Sequence, residues 1–533
     1  MSSLFSSLVV RISAEGAAAW PRPASGWVGP SLLVSGLMLA WPLCGLAQPQ
    51  TPPQAPPAVS VRVAPGMAAA EEMLSLPAFL QRVRQSNKSV ATRRSEAEIA
   101  STAVQRAQGA FETQATLSSS VGATRQANTK EEELIRRGGI YDRESADLSA
   151  TVSRLLGTGT RIEGKATLSR FLTNVSNDQE YRTYFGVTLT HPLARDSGQE
   201  SALARVKVAE AEVAGAQAAA RDTEGSAVAE SIFAYWDLVL AQHRAAHAAE
   251  KVTMGERLLA QAQALRRQGR IPDSQAWDVE NDLIRYRAAV VEAQVAQAEA
   301  VNRVARLLAQ ALQPGAPGLR AVDPLPDAPR QPPDAQQILA RAFEARPDLR
   351  QRFAALERER IQAGYAANQA RPKLDLVASY GVNGGPGSSQ AASPGFLKDF
   401  PSWSLGVQMA MPLGGNQQAR ADIQAARLRL SEAQRQIDVL RTEIANDVAT
   451  GLALLAGAAQ RWEFWAEISR REERQVQLER QRLESGRSDV RELLFREERA
   501  INARMAVVEQ QVAWAKADAL VEAAQGTLLE RHR

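Results

Sequence analysis

His243 and His247 stand at i and i+4, the spacing at which one helix face can present two imidazoles to a metal ion. No third ligand lies near them in the chain. Packed or solvated histidines are therefore the expectation, and no metal is expected. Cys44 is the only cysteine, which excludes a disulfide framework and any cysteine-built zinc or iron–sulfur site. No Gly-rich phosphate loop, nucleophile elbow or metalloprotease helix occurs. The paired Asp and Glu residues on helical stretches read as salt-bridging faces rather than acid–base pairs. No enzyme and no cofactor is expected. A net charge of +4 over 533 residues, with no concentrated basic patch, also gives no case for nucleic acid.

If the chain does no chemistry, its elements carry the function. The apolar fraction is 45% but aromatics make up only 5%. Ala, Leu and Val dominate, as in close-packed helices. The run Ser31–Ala47 follows Arg11 and Arg22, and Gly45-Leu46-Ala47 fits a signal-peptidase site. The stretch ahead of this run is long, which leaves the start position open. Residues 1–47 are read as a signal peptide and 48–72 as a Pro-rich tether. The second possibility is lipidation at Cys44, but Leu43 is large where a small residue is required. No later stretch is long and apolar enough for a transmembrane helix.

The sequence is written twice. Phe185–Leu193 matches Leu405–Leu413, 220 positions later, and Ala289–Ala296 matches Ala506–Ala513. Gly269-Arg270 recurs as Gly486-Arg487, and Ser86–Val90 corresponds to Ala345–Leu349. The expected repeats are 73–312 and 334–530, joined by a Pro/Gly-rich linker, 313–333. Each repeat reads as helix, strands, very long helix, turn, helix. The helical stretches are Pro77–Gly109, Ser201–Gln268 and Ser274–Leu312, then Asp334–Gln369, Gln417–Ser485 and Asp489–Glu530. Asp273 and Asp489 are expected as N-caps. Each long helix spans roughly 100 Å at 1.5 Å per residue. The two shorter helices of a repeat sum to that length, so they can lie end to end beside it. A rod with coiled-coil packing follows.

Between short and long helices the period changes to two. Trp403, Leu405, Val407, Met409 and Met411 point one way, and Ser404, Gly406, Gln408 and Ala410 the other. Lys373–Val382, Tyr184–Leu189 and Ile162–Leu168 alternate likewise. An apolar face opposite a small, polar one suits a transmembrane β-strand. The alternative is a half-buried strand of a soluble sandwich. A few strands set into a helical rod do not close a sheet alone, so strands from other copies are needed. Tyr184, Phe185, Tyr380 and Trp403 are expected as interfacial aromatics. The charged segment Gln126–Arg143 and the Gly/Ser/Pro-rich Asn383–Pro401 belong to solvent loops.

The duplicated unit, the Pro-Leu ending each second strand, and the tip sequences GRIPDSQAWDVE and GRSDVRELLFRE resemble the TolC-type outer-membrane factor family over Met73–Leu529. The resemblance implies an α+β membrane protein in two structural repeats per chain. It implies a homotrimer whose strands close one transmembrane β-barrel in outer-membrane lipids. Its helices would continue as a coiled-coil barrel through the periplasm. The implied function is a passive outer-membrane conduit of a tripartite efflux or type I secretion system, with a periplasmic adaptor and an inner-membrane transporter as partners. Constriction residues carry over to Glu492 and, with a departure from the acidic pattern, to Phe495. Three copies of Glu492 would form a negative ring; a plain helix-start carboxylate is the other reading. Gly269, Arg270, Gly486 and Arg487 become the adaptor-contacting tips, and Trp403, Leu405, Val407 and Met409 a lipid-facing strand.

The first half carries more strand than the family needs, near Thr116–Thr124, Asp147–Leu155, Arg161–Phe171 and Tyr181–Leu193. Four strands per chain make twelve in a trimer, and six make eighteen. Twelve core strands plus an extended hairpin is the expectation. A periplasmic adaptor or structural coiled coil is the alternative function, but an adaptor needs a lipoyl-like β-domain around a single hairpin.

Overall fold

The computed structural model describes residues 72–127, 129–130, 140–173, 180–311, 318–327, 329, 334–384 and 400–532. The expected signal peptide, Cys44, the tether up to residue 71, and loop segments 131–139 and 385–399 lie outside the described residues.

The chain opens with a short strand β1 (Glu72–Leu74), then α1 (Leu76–Ser86) and α2 (Lys88–Gln108). Four strands follow: β2 (Gln114–Ala127), β3 (Ile140–Leu155), β4 (Arg161–Thr173) and β5 (Glu180–Pro192). The long α3 (Ala204–Arg267) and its return helix α4 (Asp273–Leu307) complete the first half. After β6 (Leu319–Ala321), the order recurs as α5 (Ala335–Ala345), α6 (Pro347–Gln369), β7 (Lys373–Gly384), β8 (Pro401–Ala410), α7 (Gln417–Glu484) and α8 (Val490–Gln525).

Four expectations are corrected. The helix expected over Pro77–Gly109 breaks at Asn87, whose side chain accepts from Ser89 N (2.9 Å) and Val90 N (3.2 Å) as the N-cap of α2. The helix expected over Asp334–Gln369 breaks at the matching place. Pro347 occupies the first helical position of α6 and holds Arg346 extended (ψ 125°). The linker 313–333 is not all linker, because β6 pairs in parallel with β1. Asp323, just past β6, accepts from Leu76 N at 2.6 Å and from the Tyr235 hydroxyl. Tyr235 is fully buried, and Val322 N and Asp323 N donate to its oxygen. Burial and the Asp323 carboxylate raise the Tyr235 pKa far above the usual phenol range. Finally, Asp273 is not the N-cap of α4; Pro272 holds that position, and Asp273 sits in the first turn.

The helices pack as anticipated. At 1.5 Å per residue, the 64 residues of α3 and 68 of α7 give lengths of about 96 and 102 Å. Both α2 and α4 lie against α3, and both α6 and α8 against α7; α3 also packs on α6 and α8. One buried stripe explains the close approach. Ala220, Ala227, Ala234, Ala241, Ala248, Gly255 and Ala262 recur at every seventh position of α3, all buried. A strict seven-residue repeat imposes left-handed supercoiling. A Cβ on Gly255 would come within 3.2 Å of Leu283 and Tyr286 on α4. The main core gathers around Phe79, Tyr235, Trp236, Trp462 and Trp514, with the two last rings edge to face at 6.2 Å.

Candidate functional site: two sheet faces and the hairpin tips

The six long strands form one antiparallel sheet in the order β2-β3-β4-β5-β7-β8. The extra hairpin expected in the first half is β2–β3. β3 pairs with β4 over thirteen residues, from Arg143–Thr173 to Leu155–Arg161, so the β2–β3 pair continues the sheet.

Register assigns every side chain to a face, because paired residues share one. On one face lie Leu117 and Val121 of β2, Leu148 and Val152 of β3, and Ile162 and Leu168 of β4, all exposed. The same face carries Phe185, Val187 and Leu189 of β5, Tyr380 of β7, and Trp403, Leu405, Val407 and Met409 of β8, again exposed. The other face is small and polar. Ser118 and Ser149 share a hydrogen bond (2.7 Å), as do Ser379 and Ser404 (2.7 Å), and Ser169 donates to Asp147 (2.6 Å). Glu163 and Lys165 also lie there. Tyr184, expected among the interfacial aromatics, lies on this polar face, opposite Phe185, Tyr380 and Trp403. Its ring covers Gly186 and Gly381, where an added Cβ would force the ring to shift. Farther from the helices, Arg143 lies 4.1 Å from the centroid of Phe171 on this face, and Arg182 lies 5.3 Å away.

The apolar face is a band with charged limits. On β3, Glu144 and Arg154 bracket Ala146, Leu148, Ala150 and Val152. On β2, Arg125 ends the run and pairs with Asp142 of β3 (3.4 Å). The band does not follow the ladders. The row through Leu117 passes Ala150, Ala166, Phe185 and Val382 to Pro401. Leu117 is near the middle of the β2 run, Ala115–Ala123, but Pro401 lies ahead of the whole apolar run that starts in β8 at Trp403 and ends just past it at Met411. The band centre moves from Ser119 to Val407, a drift of about eight residues over five ladders at ~3.3 Å per residue and ~4.8 Å per strand. The band is therefore level only when the strands tilt by about 45°, the upper end of the range for transmembrane barrels. At that tilt, the interval from Glu144 to Arg154 is about 23 Å tall, close to the ~25 Å apolar belt of such barrels.

The opposite end of the helices holds two matching tips. Gly269 lies just past the end of α3 and Gly486 just past that of α7, each with φ +71°. Arg270 N bonds Leu265 O (3.0 Å) and Arg487 N bonds Arg482 O (2.8 Å), so both are closed by the same left-handed cap. Arg270 and Arg487 are exposed, and among the described residues neither has an ion-pair partner. Asp489 is the N-cap of α8, accepting from Glu492 N at 2.8 Å.

Glu492 and Phe495 are brought together, lining one shallow hollow with Ser488, Asp489 and Arg491. The Glu492 carboxylate accepts from Arg496 Nε at 2.8 Å. Phe495 is exposed, with Arg496 and Arg499 both near its ring (5.7 and 5.6 Å). Just above, the buried Glu497 receives Arg257 of α3 (2.6 Å) and Arg480 of α7 (2.7 Å), joining the two hairpins. This three-residue link was not read from the sequence, since its members come from three helices.

His243 and His247 find no third ligand: among the described residues no group of three or more His, Cys, Asp or Glu side chains is placed to hold a metal ion. Burial lowers the pKa of each. Among the described residues no helix is long and apolar enough to cross a membrane.

By their contacts, the helices nearest the tips stand in the order α4-α3-α8-α7. The outer two carry exposed apolar residues: Trp277, Ile284 and Val291 at seven-residue intervals on α4, and Phe464, Ile468 and Leu478 on α7.

Residues 338–527 match the model of the outer membrane efflux protein family. Outer-membrane localisation follows from it. No curated protein matches the chain at significance. Solved structures share the fold. The outer-membrane channel OprN aligns with a TM-score of 0.60 at 17% identity, over 85% of this chain and 89% of that one. The Neisseria gonorrhoeae MtrE outer membrane channel, in its open state, gives 0.57 at 18% identity over 85% and 89%. The Campylobacter jejuni CmeC outer membrane channel gives 0.59 at 13% identity over 85% and 86%. At these identities the likeness is one of fold.

Proposed function

We propose that three copies of this chain form an outer-membrane export duct, a passive conduit from periplasm to exterior. The carrying observation is the sheet: one continuous apolar band, level at a 45° strand tilt, backed by a Ser/Thr/Gly-rich face. The band meets lipid and the polar face lines water. The sheet edges, β2 and β8, and the apolar outer helices, α4 and α7, are both unlike pairs. Contacts between unlike edges generate rings by rotation. The helices continue the pore through the periplasm, and no step of chemistry is required of any side chain.

In this reading Gly269, Arg270, Gly486 and Arg487 meet a periplasmic adaptor coupled to an inner-membrane transporter of an efflux or type I secretion system. Glu492 and Phe495 narrow the periplasmic mouth. Arg496 accompanies each Glu492, so a ring of three carboxylates is offset by three guanidinium groups, and Phe495 supplies an apolar constriction. Residues 1–47 direct export, with acylation of Cys44 the second route to the membrane.

Fractionation, native mass measurement and bilayer recording test the proposal together. The expected result is a detergent-stable trimer in the outer-membrane fraction that conducts ions. A monomer recovered from soluble periplasm overturns it.

A further inference from the structure

Resting on the reading of a trimeric membrane barrel, we propose that all six strands of each chain enter that barrel. The exposed edge of β8 pairs with the exposed edge of β2 on a second copy, giving eighteen strands rather than twelve.

Three observations carry this. First, β2 and β3 obey the same geometry as the other four strands. Their apolar runs are centred near Ser119 and between Leu148 and Ala150. From there the centre moves in the same direction at each ladder, reaching Ala378 on β7 and Val407 on β8. A hairpin standing outside the membrane has no reason to continue that drift. Second, a twelve-stranded closure would bring β8 against β4 of the neighbour, in the place β3 now holds. The β3–β4 ladder would have to open along its thirteen pairs, exposing backbone donors and acceptors to lipid. Pairing β8 with β2 breaks nothing. Every residue of both edge strands is exposed, and their directions are opposite because five antiparallel steps separate them.

Third, the sheet and the helices span matching arcs. Six strands ~4.8 Å apart and tilted about 45° occupy about 40 Å of circumference. Four helices at ~8–10 Å spacing occupy about 32–40 Å. Four strands would cover only about 27 Å by the same geometry. The eighteen-stranded barrel therefore continues the helical tunnel without a narrowing at the junction. Its outer opening suits cargo as large as the tunnel passes, polypeptide included.

Level continuation of the band sets Val407 opposite Ser119 or Val121 of the neighbouring copy, all on the lipid face. Paired cysteines in the full-length protein in outer membranes test this. Val407→Cys is combined with Ser119→Cys, with Val121→Cys, or with Ala166→Cys on β4, and each single variant sets the baseline. The expected result is covalent chains of two and three copies, at least about tenfold above baseline, with Ser119→Cys or Val121→Cys and none with Ala166→Cys. Cross-linking through Ala166→Cys alone overturns the eighteen-stranded closure while the trimeric duct stands. Trimers that cross-link in no combination also overturn it. Chains that neither trimerise nor reach the outer membrane fail the underlying reading instead.

Discussion

The ring of Tyr184 lies over the backbone of Gly381 on the neighbouring strand, so close that a Cβ on Gly381 would be 2.6 Å from it. The same ring also covers Gly186. An aromatic laid over strand glycines fills the side-chain space that glycine leaves empty and fixes register across the ladder. Gly381→Val is expected to displace the ring from the polar face and destabilise the sheet by about 1–3 kcal/mol, as overpacking does. Its readout is a lower temperature for trimer dissociation on gels. Gly406→Val, where a Cβ meets nothing within 4 Å, serves as the tolerated control.

Glu497 is buried while its partners Arg257 and Arg480 are half exposed. The asymmetry decides which deletion costs more. Glu497→Ala leaves two guanidinium groups that reach water, at a cost of about 1–2 kcal/mol. Arg257→Ala with Arg480→Ala leaves a buried carboxylate unpaired, at about 3–5 kcal/mol. Thermal denaturation of the two variants is expected to rank them in that order, and the reverse order would show the tips to be looser than described.

Asp222 carries a raised pKa, from burial first and then from the nearby Asp348, with Arg346 partly opposing. The folded state thus binds its proton more tightly than the unfolded chain. Stability from this group is present at acidic pH and declines as pH rises through the folded pKa. Asp222→Asn removes the cost of the buried charge. Its melting temperature is expected to exceed wild type at pH 7–8 and to match it near pH 4. An equal gain at both values would assign the effect to packing instead.

The stripe from Ala220 to Ala262 is buried throughout, and a Cβ added at Gly255 already lies 3.2 Å from Leu283 and Tyr286. Ala241→Leu is expected to lower stability by about 1–3 kcal/mol through forced separation of the helices. Ala241→Ser, which keeps the volume small, should retain the folded trimer. Circular dichroism melts distinguish the two.

Arg270 and Arg487 are exposed and outside any ion pair among the described residues, so replacing them disturbs no fold contact. The double alanine variant is expected to insert and trimerise normally but to lose export. Wild-type export by that variant would remove both residues from the adaptor surface.

Much of this architecture was legible in local pattern. Alternation at Trp403–Met409, the tip glycines at 269 and 486, and the duplicated order all come from neighbours in sequence, where period and turn chemistry act directly. The Ala220–Ala262 stripe was equally present, one residue in every seven, but a small side chain gives no strong hydropathy signal. Pro347 likewise marked the break between α5 and α6.

What only the tertiary structure decided depends on pairing between distant segments. Alternation tells that a strand has two faces, but not which strand lies beside it. The β5–β7 ladder joins residues nearly two hundred positions apart, and it turns two separate strand groups into one sheet. Register then placed Tyr184 over Gly381, on the small, polar face, and revealed the slope of the apolar band. The Arg257–Glu497–Arg480 link had the same origin. Side-chain type and spacing are local properties of a sequence, whereas faces, edges and buried ion pairs exist only once the backbone ladders and helix contacts have chosen their partners.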